Sequence, residues 1–257
     1  MSNGRFVWYD LMTNDVEGAK KFYTHVVGYE ITPWDQGDKP YAMWTAGGKT
    51  IGGVMTHGED NRDAPPQWLG YIDCDDVDAT AKKVEALGGR ILRGGTDIPT
   101  VGRFAVLTDP CGAPFALFKS LKPTPPSDAP PGQGEVGWHE LNTTDYNRSW
   151  EFYRALFGWK EADSMDMGPE LGTYFMFKYA DAAMGMGGMS NVAKVHELPP
   201  HWLFYITVHD LDGALQRAQQ REGKLLNGPM EVPGGSRIAQ LVDAQGASFA
   251  LHEPKRD

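Results

Sequence analysis

Residues 7–30 read VWYDLMTNDVEGAKKFYTHVVGYE, and residues 137–160 read GWHELNTTDYNRSWEFYRALFGWK. Aligned at one constant offset, the two stretches place Trp8 opposite Trp138, and each carries a Phe-Tyr pair followed by a glycine. Both begin as a short strand and continue as a helix after an Asp that can cap it. The chain therefore contains two copies of the same local structure.

The similarity continues further along the chain. PPQWLGYIDCDDVD (65–78) resembles PPHWLFYITVHDLD (199–212), and RFAVLTDPCGAPFALF (103–118) resembles RIAQLVDAQGASFALH (237–252). A chance similarity would not keep one order across a whole module, so we interpret the chain as an internal duplication.

A proline-rich segment separates the two copies. Residues 121–134 read LKPTPPSDAPPGQG, and prolines lock φ and remove backbone donors, which favours an extended tether. We expect a first module over 1–120, a linker over 121–134 and a second module over 135–257.

Each copy predicts the same order of elements. A strand comes first (Phe6–Met12; Val136–Asn142), and a helix follows that ends near a glycine. Two strands joined by a Gly-rich turn, a strand within WLGYIDC or WLFYITV, a second helix and a closing hairpin complete the copy. The module core is β-α-β-β-β with an added helix, and the fold class is α+β with mixed sheets.

The composition excludes several partners. The 257 residues carry a formal net charge of -10 without a long run of Lys or Arg, and a nucleic-acid groove needs clustered cations. No apolar run approaches the roughly 18–20 residues of a membrane span, and the N-terminus lacks a signal-peptide pattern. Cys74 and Cys111 form no CxxC pair, and two isolated cysteines are typical of free thiols in a reducing compartment. We expect a cytoplasmic protein with neither nucleic-acid nor membrane partners.

The first strand, the "D…FY…G" helix, WLGYIDCDDVD and DPCGAPFALF together resemble the vicinal oxygen chelate superfamily. This superfamily includes glyoxalase I, bleomycin-resistance proteins and extradiol dioxygenases, and the likeness is greatest to its two-module bacterial members. The resemblance covers both copies. It implies tandem βαβββ modules whose curved mixed sheets enclose a cleft for a small molecule, but one fold hosts many reactions.

The resemblance also implies where a metal would bind. In metal-dependent members, ligands come from the first strand and from the last strand, at positions that correspond here to Trp8, Trp138, Ala116 and Ala250. Neither Trp nor Ala offers a lone pair to a cation, so we expect no cofactor and no metal at these positions. Two residues further on, and on the same strand faces, are Asp10, Glu140, Phe118 and His252. A displaced site for Mn, Fe, Ni or Zn that uses Asp10, Glu140 and His252 is the alternative.

The replacement residues have structural and functional interpretations. Trp8 and Trp138 either stack on a planar ligand or fill the core. Asp10 and Glu140 act as base, cation partner or metal ligand, or form a structural pair with Arg103 or Arg237. His252 is either a proton acceptor or part of a frayed chain end. His139 points away from Trp138 and Glu140, as a satisfied surface or interface residue.

Two main functions follow from these readings. The first is binding of a small, partly aromatic organic molecule, with Trp8, Trp138, Phe118, Ala116 and Ala250 as lining residues. The alternative is a metal-dependent lyase, isomerase or dioxygenase, and a metal-free acid/base enzyme on Asp10, Glu140 and His252 is a third reading. The sequence leaves open whether the chain forms a homodimer.

Overall fold

The structure is a computed structural model that describes residues 4–34, 41–58, 63–123, 125, 127 and 129–255. Its contacts divide the chain into two compact units. Unit I comprises Met1–Val7, Gly70–Ala129 and Trp138–Trp202, and unit II comprises Trp8–Leu69, Pro130–Gly137 and Leu203–Asp257. Each unit takes segments from both sequence copies. The module boundaries at 1–120, 121–134 and 135–257 stay a prediction.

The first copy contains two βαβββ motifs in series. The first motif is β1 (Phe6–Met12), α1 (Val16–Val26), β2 (Glu30–Trp34), β3 (Tyr41–Ala46) and β4 (Lys49–Met55). The second is β5 (Gln67–Asp73), α2 (Val77–Ala86), β6 (Arg90–Ile98), β7 (Gly102–Thr108) and β8 (Pro114–Ser120).

The second copy repeats this order and adds two short helices. Its first motif is β9 (Val136–Asn142), α3 (Tyr146–Phe157), β10 (Lys160–Asp166), α4 (Gly168–Leu171), β11 (Thr173–Lys178), β12 (Gly187–Ser190) and α5 (Val192–Val195). Its second is β13 (His201–Thr207), α6 (Leu211–Gln220), β14 (Lys224–Glu231), β15 (Arg237–Val242) and β16 (Ser248–Glu253).

The strands form two eight-stranded sheets with the same topology. Their orders are β2-β3-β4-β1-β5-β8-β7-β6 and β10-β11-β12-β9-β13-β16-β15-β14. The pairs β1–β4 and β5–β8 are parallel, whereas β2–β3, β3–β4 and β7–β8 are antiparallel. The expected α+β class with tandem βαβββ modules and mixed sheets is confirmed.

The outermost strands are the elements that the sequence analysis missed. β2, β6, β10 and β14 stand at the ends of the two sheet orders. Every residue of β10 is exposed, and all but one of β14 are. A strand without a buried face lacks the alternation of apolar and polar residues that identifies strands in a sequence. Each copy thus holds a complete second βαβββ motif where a strand, a helix and a closing hairpin were expected.

The first helix of each copy starts where its capping residue predicts. The side chain of Asp15 accepts a hydrogen bond from the Gly18 N–H at 2.8 Å, and that of Asp145 accepts from the Arg148 N–H at 3.1 Å. Each carboxylate satisfies an amide that the helix leaves open at its N-terminus. The predicted helix starts are confirmed.

Unit I has an aromatic core built on the Phe-Tyr pair of α3. The Tyr153 ring stacks on Trp159 with ring centroids 5.1 Å apart, and Trp159 stacks on Phe177 at 4.5 Å. The Trp202 Nε1–H donates to the Tyr153 hydroxyl at 3.1 Å. These buried rings hold α3 on one face of β9 to β12, so residues of the opposite strand face are left for other contacts.

Unit II repeats this core on the Phe-Tyr pair of α1. The Trp68 Nε1–H donates to the Tyr23 hydroxyl at 3.0 Å, and the Tyr23 hydroxyl donates to Asp243 at 3.1 Å. The end of the linker also packs here, because the Gly134 N–H donates to the Thr207 carbonyl at 2.8 Å. Linker residues 124, 126 and 128 lie outside the described residues.

Candidate ligand-binding site

A cluster of Trp8, Tyr41 and Asp10 occupies one strand face in unit II. The Tyr41 hydroxyl donates to Asp10 Oδ1 at 2.6 Å, and the Trp8 Nε1–H donates to the Tyr41 oxygen at 2.8 Å. The Trp8 Nε1–H also lies 2.9 Å from Asp10 Oδ1. The Asp10 side chain is buried, while Trp8 and Tyr41 are half-buried. We call this arrangement the first Trp–Tyr–carboxylate cluster.

The second Trp–Tyr–carboxylate cluster lies in unit I and repeats the arrangement. The Trp138 Nε1–H donates to the Tyr174 hydroxyl oxygen at 2.8 Å, and the Tyr174 hydroxyl donates to Glu140 Oε2 at 3.0 Å. Glu140 is only 7 % exposed, so the hydroxyl bond offsets part of the cost of burying its carboxylate. The second copy therefore keeps the Trp-to-Tyr and Tyr-to-carboxylate bonds with a longer acid.

Paired glycines make room for the two tyrosines. Gly53 lies opposite Asp10 on β4, and Gly188 lies opposite Glu140 on β12. A Cβ atom built on Gly53 would lie 2.0 Å from the Tyr41 hydroxyl oxygen, and one on Gly188 would lie 2.2 Å from the Tyr174 ring. Each ring crosses the glycine of the neighbouring strand to reach the carboxylate.

Two residues of these clusters, Tyr41 and Tyr174, were not identified from the sequence. A signal was present, because YAMW at 41–44 and YFMF at 174–177 begin with the same residue at the start of equivalent strands. That signal shows which residues correspond. It does not show that the hydroxyl reaches a carboxylate 31 or 34 residues away in the sequence.

The last-strand candidates Ala116 and Phe118 lie in unit I. Ala116 is buried on β8 opposite Tyr71 on β5. Phe118 is half-buried and meets the Tyr71 ring edge-on, with ring centroids 6.4 Å apart. Both residues form an apolar surface with no donor for a cation.

The corresponding candidates Ala250 and His252 lie in unit II. Ala250 is opposite Tyr205 on β13 and Gln240 on β15, and the Gln240 amide donates to the Tyr205 hydroxyl at 2.8 Å. His252 lies within β16, and its carbonyl accepts from the Val208 N–H at 2.8 Å. The frayed chain end considered for His252 is therefore wrong.

The His252 ring is partly buried and has an unsatisfied nitrogen. Burial lowers the pKa of His252 below its ordinary value, which favours the neutral ring. Its Nδ1 atom has no hydrogen-bond partner among the residues that the structure describes.

Of the surface or interface position expected for His139, the surface alternative is wrong, and the interface alternative stays a prediction. The side chain is 1 % exposed and stacks on Phe6 with centroids 4.3 Å apart. Its Nδ1 lies 2.9 Å from the Met186 carbonyl, and burial lowers the pKa of His139 to about 4. The predicted direction away from Trp138 and Glu140 agrees with these contacts, because the ring packs on core aromatic residues.

Arg103 and Arg237 bind carboxylates other than the two candidate acids. Arg103 forms ion pairs with Asp78 and Asp97 at 2.9 and 2.8 Å. Arg237 pairs with Asp212 at 2.8 Å and with Glu253 at 3.2 Å. The partners of the candidate carboxylates include the Tyr41, Tyr174 and Trp8 side chains.

The donor set does not fit a metal at the positions that the fold class suggests. Trp8 and Trp138 have one ring N–H each, which is already donated to a tyrosine, and alanine has no donor. Within the described ranges, no three His, Cys, Asp or Glu side chains come together in a way that could hold a metal ion.

No described helix is long and apolar enough to cross a bilayer.

Two long segments of the chain match one family. Residues 5–117 and 135–251 each match the Glyoxalase/Bleomycin resistance protein/Dioxygenase superfamily. This protein therefore belongs to that superfamily, also called the vicinal oxygen chelate superfamily, and carries its domain twice.

Several proteins are similar over nearly the full length. The anthracycline biosynthesis protein DauV of Streptomyces sp. (strain C5) is 32% identical over 97% of this chain and 93% of its own. CFP32 of Mycobacterium tuberculosis, provisionally named a glyoxylase, is 33% identical over 96% and 94%. The Mn(II)-bound glyoxalase of Novosphingobium aromaticivorans shares the fold with a TM-score of 0.66 at 15% identity, over 98% of this chain and 83% of its own.

Proposed function

We propose that this protein binds a small, partly aromatic organic molecule at its Trp–Tyr–carboxylate clusters, without a metal at the superfamily's usual ligand positions. The observation that carries the proposal is the repetition of the same Trp, Tyr and carboxylate bonds in both copies. A structural ion pair needs no indole and no phenol. A site for a planar ring benefits from both.

The hydrogen bonds orient the indole rings. Because each Trp Nε1–H is held by a tyrosine oxygen, the indole plane is fixed before a ligand arrives. A half-buried ring that is held in place can stack on a planar ligand at little cost in side-chain entropy. The buried carboxylate behind it supplies negative potential for a ligand that carries a positive charge.

The relatives support a planar ligand. Two relatives, from Streptomyces sp. (strain C5) and Streptomyces peucetius, are named as anthracycline biosynthesis proteins. Anthracyclines are polycyclic aromatic compounds, and a fixed indole suits such a ring system. We therefore place the ligand among small molecules with fused aromatic rings.

The indole N–H signals of Trp8 and Trp138 test the proposal directly. We would titrate the ¹⁵N-labelled protein with naphthalene, 2-naphthol and the cation N-methylquinolinium and assign the two signals with Trp8→Phe and Trp138→Phe. We expect at least one signal to shift with saturation, and Trp138→Ala or Trp8→Ala to weaken binding about tenfold, or ~1.4 kcal/mol.

The matched control is Trp150→Phe, because Trp150 packs on Phe175 in the helix-facing core. This variant should leave probe affinity unchanged. If none of the three probes moves either indole signal, the proposal is wrong.

A metal-dependent lyase, isomerase or dioxygenase is the second candidate, and it is favoured by the Nδ1 atom of His252, which has no hydrogen-bond partner in the described part of the chain. It would take displaced ligands from Asp10, Glu140 and His252, of which Asp10 and His252 lie in the same unit. Against it, the described oxygens of both acids already accept hydroxyl bonds. Elemental analysis of protein purified without chelators distinguishes the two proposals. If wild type holds one equivalent of Mn, Fe, Ni or Zn and Glu140→Ala does not, the metal-dependent enzyme is supported and the first proposal is wrong.

A metal-free acid/base enzyme on the same residues is a third proposal, and probe turnover would support it. A cytoplasmic location, the lack of nucleic-acid partners and a homodimer stay predictions. Sedimentation of the purified chain would test the homodimer.

A further inference from the structure

The two copies differ at the strand positions next to the Trp–Tyr–carboxylate clusters. On β9 and β12 of unit I, Asn142 lies opposite Ser190. The corresponding pair on β1 and β4 of unit II is Met12 opposite Met55. Two thioether side chains in the first copy are therefore an amide and a hydroxyl in the second.

Asn142 and Ser190 share a strand face with the second cluster. Side chains alternate along a strand, so Asn142 follows Glu140 and Ser190 follows Gly188 on that face. The intervening Leu141 is completely buried on the other side. The amide and the hydroxyl thus lie on the same strand face as the polar groups of Glu140 and Tyr174.

Both polar side chains are buried and incompletely satisfied. Asn142 is 4% exposed and Ser190 is 1% exposed. Neither Asn142 Oδ1 nor Ser190 Oγ has a hydrogen-bond partner among the described residues. Burying such atoms without partners is unfavourable, and each one calls for an explanation. A group supplied from outside the chain would satisfy both.

His201 fixes which end of the Asn142 amide stays open. The His201 Nδ1 atom lies 2.9 Å from the Pro199 carbonyl oxygen, which can only accept, so Nδ1 carries the proton. Nε2 of the neutral ring is then an acceptor, and it lies 3.4 Å from Asn142 Nδ2, which donates. Burial lowers the pKa of His201 and keeps the ring neutral near pH 7. The amide oxygen of Asn142 therefore stays available as an acceptor.

We propose that Asn142 and Ser190 form a subsite for a hydroxyl group of the bound molecule, and that only the second copy has this subsite. A phenol or alcohol O–H can donate to Asn142 Oδ1 while its oxygen accepts from the Ser190 hydroxyl. His201 is a positioning residue that orients the amide. This inference rests on the proposed aromatic-ligand function and adds that the ligand of the second copy is hydroxylated.

The first copy cannot supply these bonds. Met12 and Met55 offer weakly accepting sulfur atoms and no donor. Flexible thioethers suit an apolar surface that adapts to different shapes. The duplicated protein therefore has one site that selects for a hydroxyl and one that accepts an apolar ring.

The test compares 2-naphthol with naphthalene, which lacks only the hydroxyl. The Trp138 indole signal reports binding at the second copy in wild type and in Asn142→Leu/Ser190→Ala. We expect the ratio of the naphthalene Kd to the 2-naphthol Kd to fall about tenfold in the variant, because the comparison isolates the hydroxyl contact. Asn142→Met/Ser190→Met gives the second copy the residue types of Met12 and Met55, and it should lower this Kd ratio as well.

Asn147→Leu is the matched control, since Asn147 is exposed on α3 and should leave the ratio unchanged. An unchanged ratio in both double variants, with probe binding intact, overturns the subsite and leaves the aromatic-ligand function standing. In that case the two side chains bind a structural water only. Failure of both probes to bind wild type overturns the subsite, and failure of all three probes overturns the aromatic-ligand function as well.

Discussion

The hydroxyl oxygen of Tyr41 lies 2.0 Å from the position that a Cβ atom of residue 53 would take, and residue 53 is a glycine. In the second copy, Tyr174 stands in the same relation to Gly188. No real Cβ approaches another atom so closely, so the glycine and the tyrosine depend on each other. The absence of a side chain at Gly53 and Gly188 leaves the space that each tyrosine occupies.

Gly53→Ala and Gly188→Ala should each displace the tyrosine ring of their own cluster. Forcing a methyl group into a packed contact costs about 1–3 kcal/mol. We expect that loss in urea unfolding, together with a shift of the Trp8 or Trp138 indole signal. Gly94→Ala is the control, because a Cβ at Gly94 meets nothing within 4 Å. A variant as stable as Gly94→Ala, with an unmoved indole signal, would contradict the packing.

Tyr174→Phe should loosen the second cluster without changing its shape. The substitution removes the hydroxyl that accepts from Trp138 and donates to Glu140. Loss of a hydrogen bond to a buried carboxylate costs about 1–3 kcal/mol. Urea unfolding and the Trp138 indole shift measure the two effects. Tyr146→Phe serves as the control, since that ring stacks on Phe175 outside the cluster. Equal free energies of unfolding for the two variants would show that the Tyr174 hydroxyl does not contribute to stability.

His139 should make stability depend on pH in the acid range. Its pKa falls from 6.5 to about 4 on folding because the ring is buried. The unfolded chain therefore binds the proton more readily. The stability that the neutral ring contributes is complete above pH 6.5 and is lost as the pH falls towards 4, by about 3 kcal/mol.

His139→Phe removes this titration and keeps a ring against Phe6. We expect urea unfolding at pH 7.5 and pH 4.5 to show a smaller difference for the variant than for wild type. Other histidines with lowered pKa values, such as His201, titrate alike in both proteins. Identical pH dependence of the two proteins would mean that His139 is not buried in solution.

The sequence predicted elements that have an apolar face and a capping residue. β1 and β9 begin and end as expected, and α6 spans Leu211–Gln220 as expected. β10 was missed because all its residues are exposed, so no periodic pattern marks it. Edge strands of this kind are recognised by pairing to a neighbour, which a single sequence does not reveal.

The candidate site was predicted in part. The duplication identified the strand positions of Trp138 and Glu140, and alternation placed them on one face. The contact of the Tyr174 hydroxyl with Glu140 could not be predicted from the sequence. It depends on the strand order β11-β12-β9 and on the absence of a side chain at Gly188. Strand alternation gave the correct direction for His139, but it did not show that this face is covered by core aromatic residues such as Phe6.

The division of the chain into units gives the duplication a meaning. Unit I joins the later half of the first copy to the earlier half of the second, and unit II joins the remaining halves. A shorter gene that encoded one copy could build such a unit only by sharing segments between two polypeptides. Fusion of two such genes would make the partnership permanent and free each half to diverge, as the exchange of Met12 for Asn142 illustrates.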